Sequence, residues 1–199
     1  MGIFGQLSAT QKKVLLFFIP VTLVLVLAGV IYIFPSPSNQ GYAPEQPIPF
    51  SHKLHAGQYK IDCRYCHFGA WKSQHAGIPP MNVCMNCHRV VKTDSPYIQQ
   101  LTKAYHEGKP IEWVRIHELP DHARFNHRPH VMKGINCTTC HGEVAQMDRV
   151  VQKQPLTMGW CLSCHRGKDV PFEVERLIEE GQKQEDGSIA PSSCYTCHY

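Results

Sequence analysis

Ten cysteines fall into five pairs with a single spacing. Cys63 and Cys66, Cys84 and Cys87, Cys137 and Cys140, Cys161 and Cys164, and Cys194 and Cys197 each enclose two residues. Each pair is followed at once by a histidine: His67, His88, His141, His165 and His198. Two thiols at this spacing add to the two vinyl groups of one porphyrin, and the adjacent imidazole then lies beneath the iron. Cys-x-x-Cys-His is therefore the attachment pattern of c-type haem. One such motif alone would also suit half a zinc site or a redox disulfide. Five copies that use every cysteine do not: disulfides need no histidine, and zinc knuckles have no reason to keep one adjacent. The expectation is five covalently bound haem c groups. The "NCT" at Asn136 matches a glycosylation acceptor, but it lies inside one of the motifs and is discounted.

Five irons bound on one face call for up to five ligands on the other. Of 13 histidines, eight lie outside the motifs: His52, His55, His75, His106, His117, His122, His127 and His130. An internal repeat orders them. "FSHKLH" (50–55) precedes Cys63, and "FNHRPH" (125–130) precedes Cys137; each module then carries a Met three residues before its second motif, Met81 before Cys84 and Met158 before Cys161. The chain reads as two diverged two-haem modules, 50–88 and 125–165, with a fifth site on the tail. Histidines three apart on one helical turn project from one side at different angles, so each reaches a different haem. His52, His55, His127 and His130 are thus expected as distal ligands. The fifth is expected at His117, with His122, His75, Met147 and Met158 as weaker candidates. A methionine ligand would raise the potential of its haem, but both methionines read better as packing against porphyrin faces. His106, in the polar run "KAYHEGK", reads as a surface residue. The Phe-x-His-x-x-His pattern resembles that of class III multihaem cytochromes. The resemblance implies that His52 serves the haem at Cys63 and His127 the haem at Cys137, with His55 and His130 reaching neighbours.

The elements that must position these sites are few. Residues 14–34, "VLLFFIPVTLVLVLAGVIYIF", carry no charge. As a helix they span about 31 Å, close to a bilayer's hydrocarbon thickness. Pro20 is tolerable there. Lys12 and Lys13 precede the stretch, and no acidic residue occurs before Glu45. Residues 1–13 are therefore expected in the cytoplasm and everything after the helix on the periplasmic side of a bacterial inner membrane. The stretch is long for a cleaved signal peptide and offers no small-x-small cleavage site. Residues 35–49 read as a proline-rich spacer, and 50–199 as the haem domain. Within it "SPYIQQLTKAYHEG" (95–108) predicts a helix with Ser95 as N-cap, Pro96 at its first position and Gly108 as its stop. "PFEVERLIEEG" (171–181) predicts a second. No run of strands is evident. The fold class is mainly α with much irregular structure, built around haem rather than a side-chain core.

The formal charge is +4 and by itself suggests no nucleic-acid partner. Five haems bring ten propionates, which would turn it to about −6. Ligands on both faces leave no open position at iron, so no catalysis at haem is expected and the chain reads as an electron carrier. A pentahaem nitrite reductase would be the enzyme alternative, but that family's catalytic motif ends in Lys and all five here end in His. A membrane-anchored quinol dehydrogenase feeding a periplasmic reductase is the runner-up. The five motifs, the N-terminal apolar stretch and the blocks "FSHKLHAG", "HAGIPPMNVCMNCH", "LPDHARFNHRPH" and "PLTMGWCLSCHRG" resemble the pentahaem cytochrome c subunit of bacterial alternative complex III, over nearly the whole chain. That resemblance implies a relay of electrons from quinol oxidation. The partners it further implies are polytopic quinol-oxidising membrane subunits and a periplasmic iron–sulfur subunit. A monohaem cytochrome c or terminal oxidase would be the acceptor.

Overall fold

A computed structural model describes residues 8–33, 38–168, 170, 174–176 and 188–199. It divides into two compact units, Met1–Ser38 and Asn39–Tyr199.

The first unit contains helix α1, Ala9–Ile33. The helix begins ahead of the apolar run because the sequence supplies a cap there. Ser8 Oγ accepts from the Gln11 amide at 3.3 Å, and Gln11 Oε1 accepts from the Ser8 amide at 2.9 Å. This reciprocal pair satisfies two donors that a helix start otherwise leaves open. Within residues 9–32 an 18-residue window reaches a mean hydropathy of 3.0, and none of that window is buried. An exposed apolar helix of that length suits a membrane anchor or a signal sequence.

The second unit is mostly helical, and no strand occurs among the described residues. Its helices are short: α2 (Cys63–Cys66), α3 (Met81–His88), α4 (Pro96–Glu107), α5 (His127–Met132), α6 (Cys137–His141), α7 (Met158–His165) and α8 (Cys194–Cys197). A π-helical turn, Lys53–Gln58, and a 3₁₀ turn, Val144–Gln146, complete the set. Helix α4 follows the sequence reading. Pro96 opens it, and Gly108 closes it at φ 65°, a left-handed conformation that glycine adopts without steric cost. Ser95 stands at the N-cap with an extended backbone, but its side chain makes no capping bond. The helix expected over 171–181 lies mostly outside the described residues. Residues 174–176 are helical, with Val174 buried.

The two halves of the repeat fold alike. Both α3 and α7 are eight residues long and start at the Met three positions before the motif. Both α2 and α6 are single turns capped by the residue before the first cysteine. Asp62 accepts from the Arg64 amide and Asn136 from the Thr138 amide. An acceptor side chain there holds the turn that sets the two thiols on one side with the histidine at its end.

Side-chain packing contributes little. Among the described residues the buried hydrophobics are Ile48, Met85, Leu101 and Val174. The first three form one cluster where α3 meets α4. Polar ties hold the rest. Gln152, fully buried, exchanges backbone bonds with Gly41 and Tyr42 at 2.8 and 3.0 Å. Its Oε1 accepts from the Glu118 amide at 3.2 Å. The π-helical turn docks on the 3₁₀ turn, with the Lys53 amide donating to Met147 O at 3.0 Å and Ser51 Oγ to Asp148 at 2.7 Å. A Cβ on Gly57 would collide with the Ala145 carbonyl. Gly57→Ala is therefore expected to separate the two turns and lower stability by about 1–3 kcal/mol, read as a lower thermal midpoint of the loaded protein.

Candidate haem sites

Each motif histidine faces a second histidine. His52 and His67 lie 6.4 Å apart between ring centres with planes 5° apart, and His127 and His141 repeat this at 6.3 Å and 3°. His55 faces His88 at 6.1 Å, and His130 faces His165 at 6.0 Å. His122 faces His198 at 5.5 Å with planes 20° apart. Two imidazoles bound to one metal from opposite sides, each nitrogen about 2 Å from it, put their ring centres roughly 6 Å apart. These are the separations found, too wide for direct ring stacking.

The Phe of each repeat sets this geometry. Phe50 stands edge-on to His52 (84°) and lies along His55 (23°), with centroid distances of 4.9 and 4.3 Å. Phe125 holds His127 and His130 the same way, at 4.8 and 4.5 Å. One aromatic ring thus splays two histidines toward two different motifs. In each module the first histidine faces the first motif and the second histidine the second.

The second nitrogens are also fixed. Nδ1 lies against a backbone carbonyl in His67 (Gly77, 2.7 Å), His88 (Val91, 3.0 Å), His165 (Pro191, 2.7 Å) and His198 (His122, 2.7 Å). The same holds for His55 (Ser51, 2.8 Å), His127 (Gln74, 2.9 Å) and His130 (Asn126, 2.8 Å). A carbonyl only accepts, so each of these rings carries its proton on Nδ1 and leaves the Nε2 lone pair free. Burial, then the neighbouring His67 and His55, hold His52 down to about 4; burial, then His117 and other histidines, hold His141 down to about 3. Both are neutral donors at pH 7. The Nδ1 of His52 is buried without a protein partner.

The thiols are not set up for other chemistry. Burial pushes Cys140 up to about 11 and moves Cys66, Cys84, Cys137, Cys161 and Cys164 in the same direction. Redox dithiols and zinc ligands need the opposite shift. All ten cysteines are unpaired, and among the described residues no three His, Cys, Asp or Glu side chains converge as a metal cluster. Free thiol pairs, facing imidazoles with Nε2 open, and a core short of side chains together fit covalent haem.

A family model described as outer membrane cytochrome MtrC/MtrF-like, domains II/IV, matches residues 59–199. The chain belongs to this family of multihaem c-type cytochromes. It also resembles the multihaem cytochrome c subunit of a menaquinone reductase from Nitratidesulfovibrio vulgaris, at 29% identity over 166 residues, 73% of this chain and 79% of the relative. Covalent haem c and electron transport come with the family, and a subunit of a quinone-linked assembly is among its relatives.

The remaining sequence candidates fall elsewhere in this cytochrome. His117 does not face His198. It meets His141 edge-on at 4.4 Å and 86°. The partner of His198 is His122, whose side chain is exposed. His75 is exposed, and its carbonyl accepts from Ser73 Oγ at 2.7 Å. His106 is exposed beside Tyr105. Met158 heads α7 at 67% exposure, and Met147 is engaged through its carbonyl by Lys53. Sequence reasoning missed the carbonyls of Gly77, Val91 and Pro191, since any residue type offers one.

Neighbouring thiols connect the motifs. Numbered in chain order, motifs 1 and 2 adjoin through Cys66 and the Cys84–Cys87 pair, and motifs 1 and 3 through a Cys63–Cys137 thiol contact. Motifs 3 and 4 adjoin through Cys140 and the Cys161–Cys164 pair, and 4 and 5 through Cys161 and Cys197. These adjacencies link the five motifs as 2–1–3–4–5.

Proposed function

We propose that this chain is the electron-relay subunit of a quinone-linked membrane assembly, carries five haem c groups, and corresponds to the pentahaem subunit of alternative complex III. The observation that carries this reading is five motif histidines that each face a second histidine, in motifs linked through neighbouring thiols. Haem c bound there supplies reversible one-electron chemistry at iron. The cysteine pairs would hold each group covalently and the facing imidazoles would ligate its iron, which would leave no position for substrate, so we read the chain as a carrier rather than an enzyme at haem. Sites 2 and 5 stand at the ends of the row and are the points where partners exchange electrons with it.

Helix α1 serves in this reading as an uncleaved anchor, with Lys12 and Lys13 holding its start in the cytoplasm and the haem domain in the periplasm. The partners are polytopic quinol-oxidising subunits, a periplasmic iron–sulfur subunit, and a monohaem cytochrome c or terminal oxidase as acceptor. Purification of the tagged protein in mild detergent, with mass spectrometry of every co-purifying chain, tests this. Recovery with polytopic and iron–sulfur subunits supports it. Recovery alone, with reduction by menaquinol intact, replaces it with a self-contained quinol dehydrogenase.

The reverse direction is the second reading, favoured by the relative named for menaquinone reduction. Assaying the purified assembly both ways, menaquinol to cytochrome and reduced cytochrome to menaquinone, decides between them.

The axial assignments follow the facing pairs: His52 with His67, His55 with His88, His127 with His141, His130 with His165, and His122 with His198. The last replaces the expected His117. His122→Ala is expected to leave one haem of five high-spin and able to bind carbon monoxide, while His75→Ala leaves all five low-spin. A fully low-spin spectrum in His122→Ala would remove His122 from the ligand set.

A further inference from the structure

His117 has a different place from the one its sequence suggested. Four motif histidines direct Nδ1–H at a backbone carbonyl. The fifth, His141, has an imidazole there instead, with its Nδ1 3.2 Å from His117 Nε2. The contact is edge-on, while the parallel ring across from His141 at 6.3 Å is His127. His117 therefore touches the nitrogen of His141 that points away from the metal position.

The contact is built rather than incidental. Arg115 Nε donates to the His117 carbonyl at 3.1 Å. The next amide, Glu118, is held by Oε1 of the fully buried Gln152 at 3.2 Å. Gln152 is itself anchored through Gly41, Tyr42 and, by its Nε2, the Gln154 carbonyl at 3.2 Å. His117 is partly buried, and a neutral imidazole offers a lone pair at one ring nitrogen.

We infer that His117 is a positioning residue for site 3, the middle site of the row, where it accepts the Nδ1 proton of His141 and sets that haem at a lower potential than a carbonyl acceptor would. An imidazole nitrogen is far more basic than a peptide oxygen. It draws the proton of His141 toward itself more strongly, which makes the ligating Nε2 more electron-rich. An electron-rich axial ligand favours the oxidised iron, so the potential falls. The inference rests on the proposed pairing of His127 with His141.

The experiment is a potentiometric titration of the purified, fully loaded chain, followed by optical and electron paramagnetic resonance spectra, for wild type, His117→Ala, His117→Gln and His127→Ala. Both His117 variants should keep five low-spin haems and move one of the five midpoint potentials upward. The shift should be smaller in His117→Gln, whose amide oxygen resembles the carbonyls at the other sites. If His117→Ala fails to load fully, the Gln variant carries the comparison. Five unchanged potentials in a fully loaded His117 variant would overturn the inference. A high-spin haem in His117→Ala would make His117 an axial ligand and overturn the pairing as well. A high-spin haem in His127→Ala, without one in His117→Ala, upholds the pairing whatever the potentials do.

Discussion

Cys194→Ala with Cys197→Ala is expected to lower the haem content from five to four per chain and to free the C-terminus. What holds the last six residues in place, other than haem, is slight. Helix α8 is a single turn of four residues. The Arg124 amide donates to the Cys197 carbonyl at 2.8 Å, His198 Nδ1 to the His122 carbonyl at 2.7 Å, and the Arg124 guanidinium lies 5.4 Å from the ring centre of Tyr199. The cation–π contact is worth about 0.5–1 kcal/mol at an exposed position, and each hydrogen bond about 1 kcal/mol net. Against them stands the entropy of fixing each backbone residue, about 1–2 kcal/mol. Without two thioether bonds and a ligating imidazole, these few contacts do not offset that entropy and residues 194–199 loosen. Intact-mass measurement should show one haem fewer, a pyridine haemochrome assay four haems per chain, and limited proteolysis rapid trimming back toward residue 190. A haem content of five in the double variant would refute the assignment of the fifth site.

How much of this was legible in the sequence depends on whether a feature has a residue-type signature. The attachment motifs do, because thioether chemistry demands cysteine at one spacing and an adjacent histidine. The Phe-x-His-x-x-His repeat does too, and the fold gives its two copies matching geometry at Phe50 and Phe125. Helix α4 was readable because Pro96 and Gly108 punctuate it. The π-helical form of Lys53–Gln58 was not, since nothing in "KLHAGQ" distinguishes it from an α-turn; its reason is tertiary, the docking of Gly57 against Ala145. The choice between His117 and His122 was equally closed to sequence reasoning. Both lie in the same irregular stretch, where no helical period says which way a side chain points. The contact that places His122 by the fifth motif comes from a tail 76 residues away, where His198 bonds the His122 carbonyl and the two rings face each other. The buried hub at Gln152 had no signature at all.

The linear order of the motifs carries the second large effect. In the order 2–1–3–4–5, site 3 is the bridge between one pair of sites and the other, and Cys137 touches Cys63 on one side while Cys140 neighbours Cys161 and Cys164 on the other. Cys137→Ala with Cys140→Ala should therefore cut the row in two. Electron passage between the two ends is expected to fall to background in the assembled complex, although four haems remain and dithionite reduces all of them. The same lesion at site 2 or site 5 only shortens the row and should abolish exchange with the partner at that end, leaving the internal haems in contact. Stopped-flow reduction through one end, read at the haems of the other, separates these cases. The row predicts that the site 3 variant traps electrons on one side. A branched arrangement, in which motif 2 or motif 1 also adjoined motif 4, would instead let them pass around the gap. Full-speed transfer in the site 3 variant would mean that the haems form such a cluster rather than a wire.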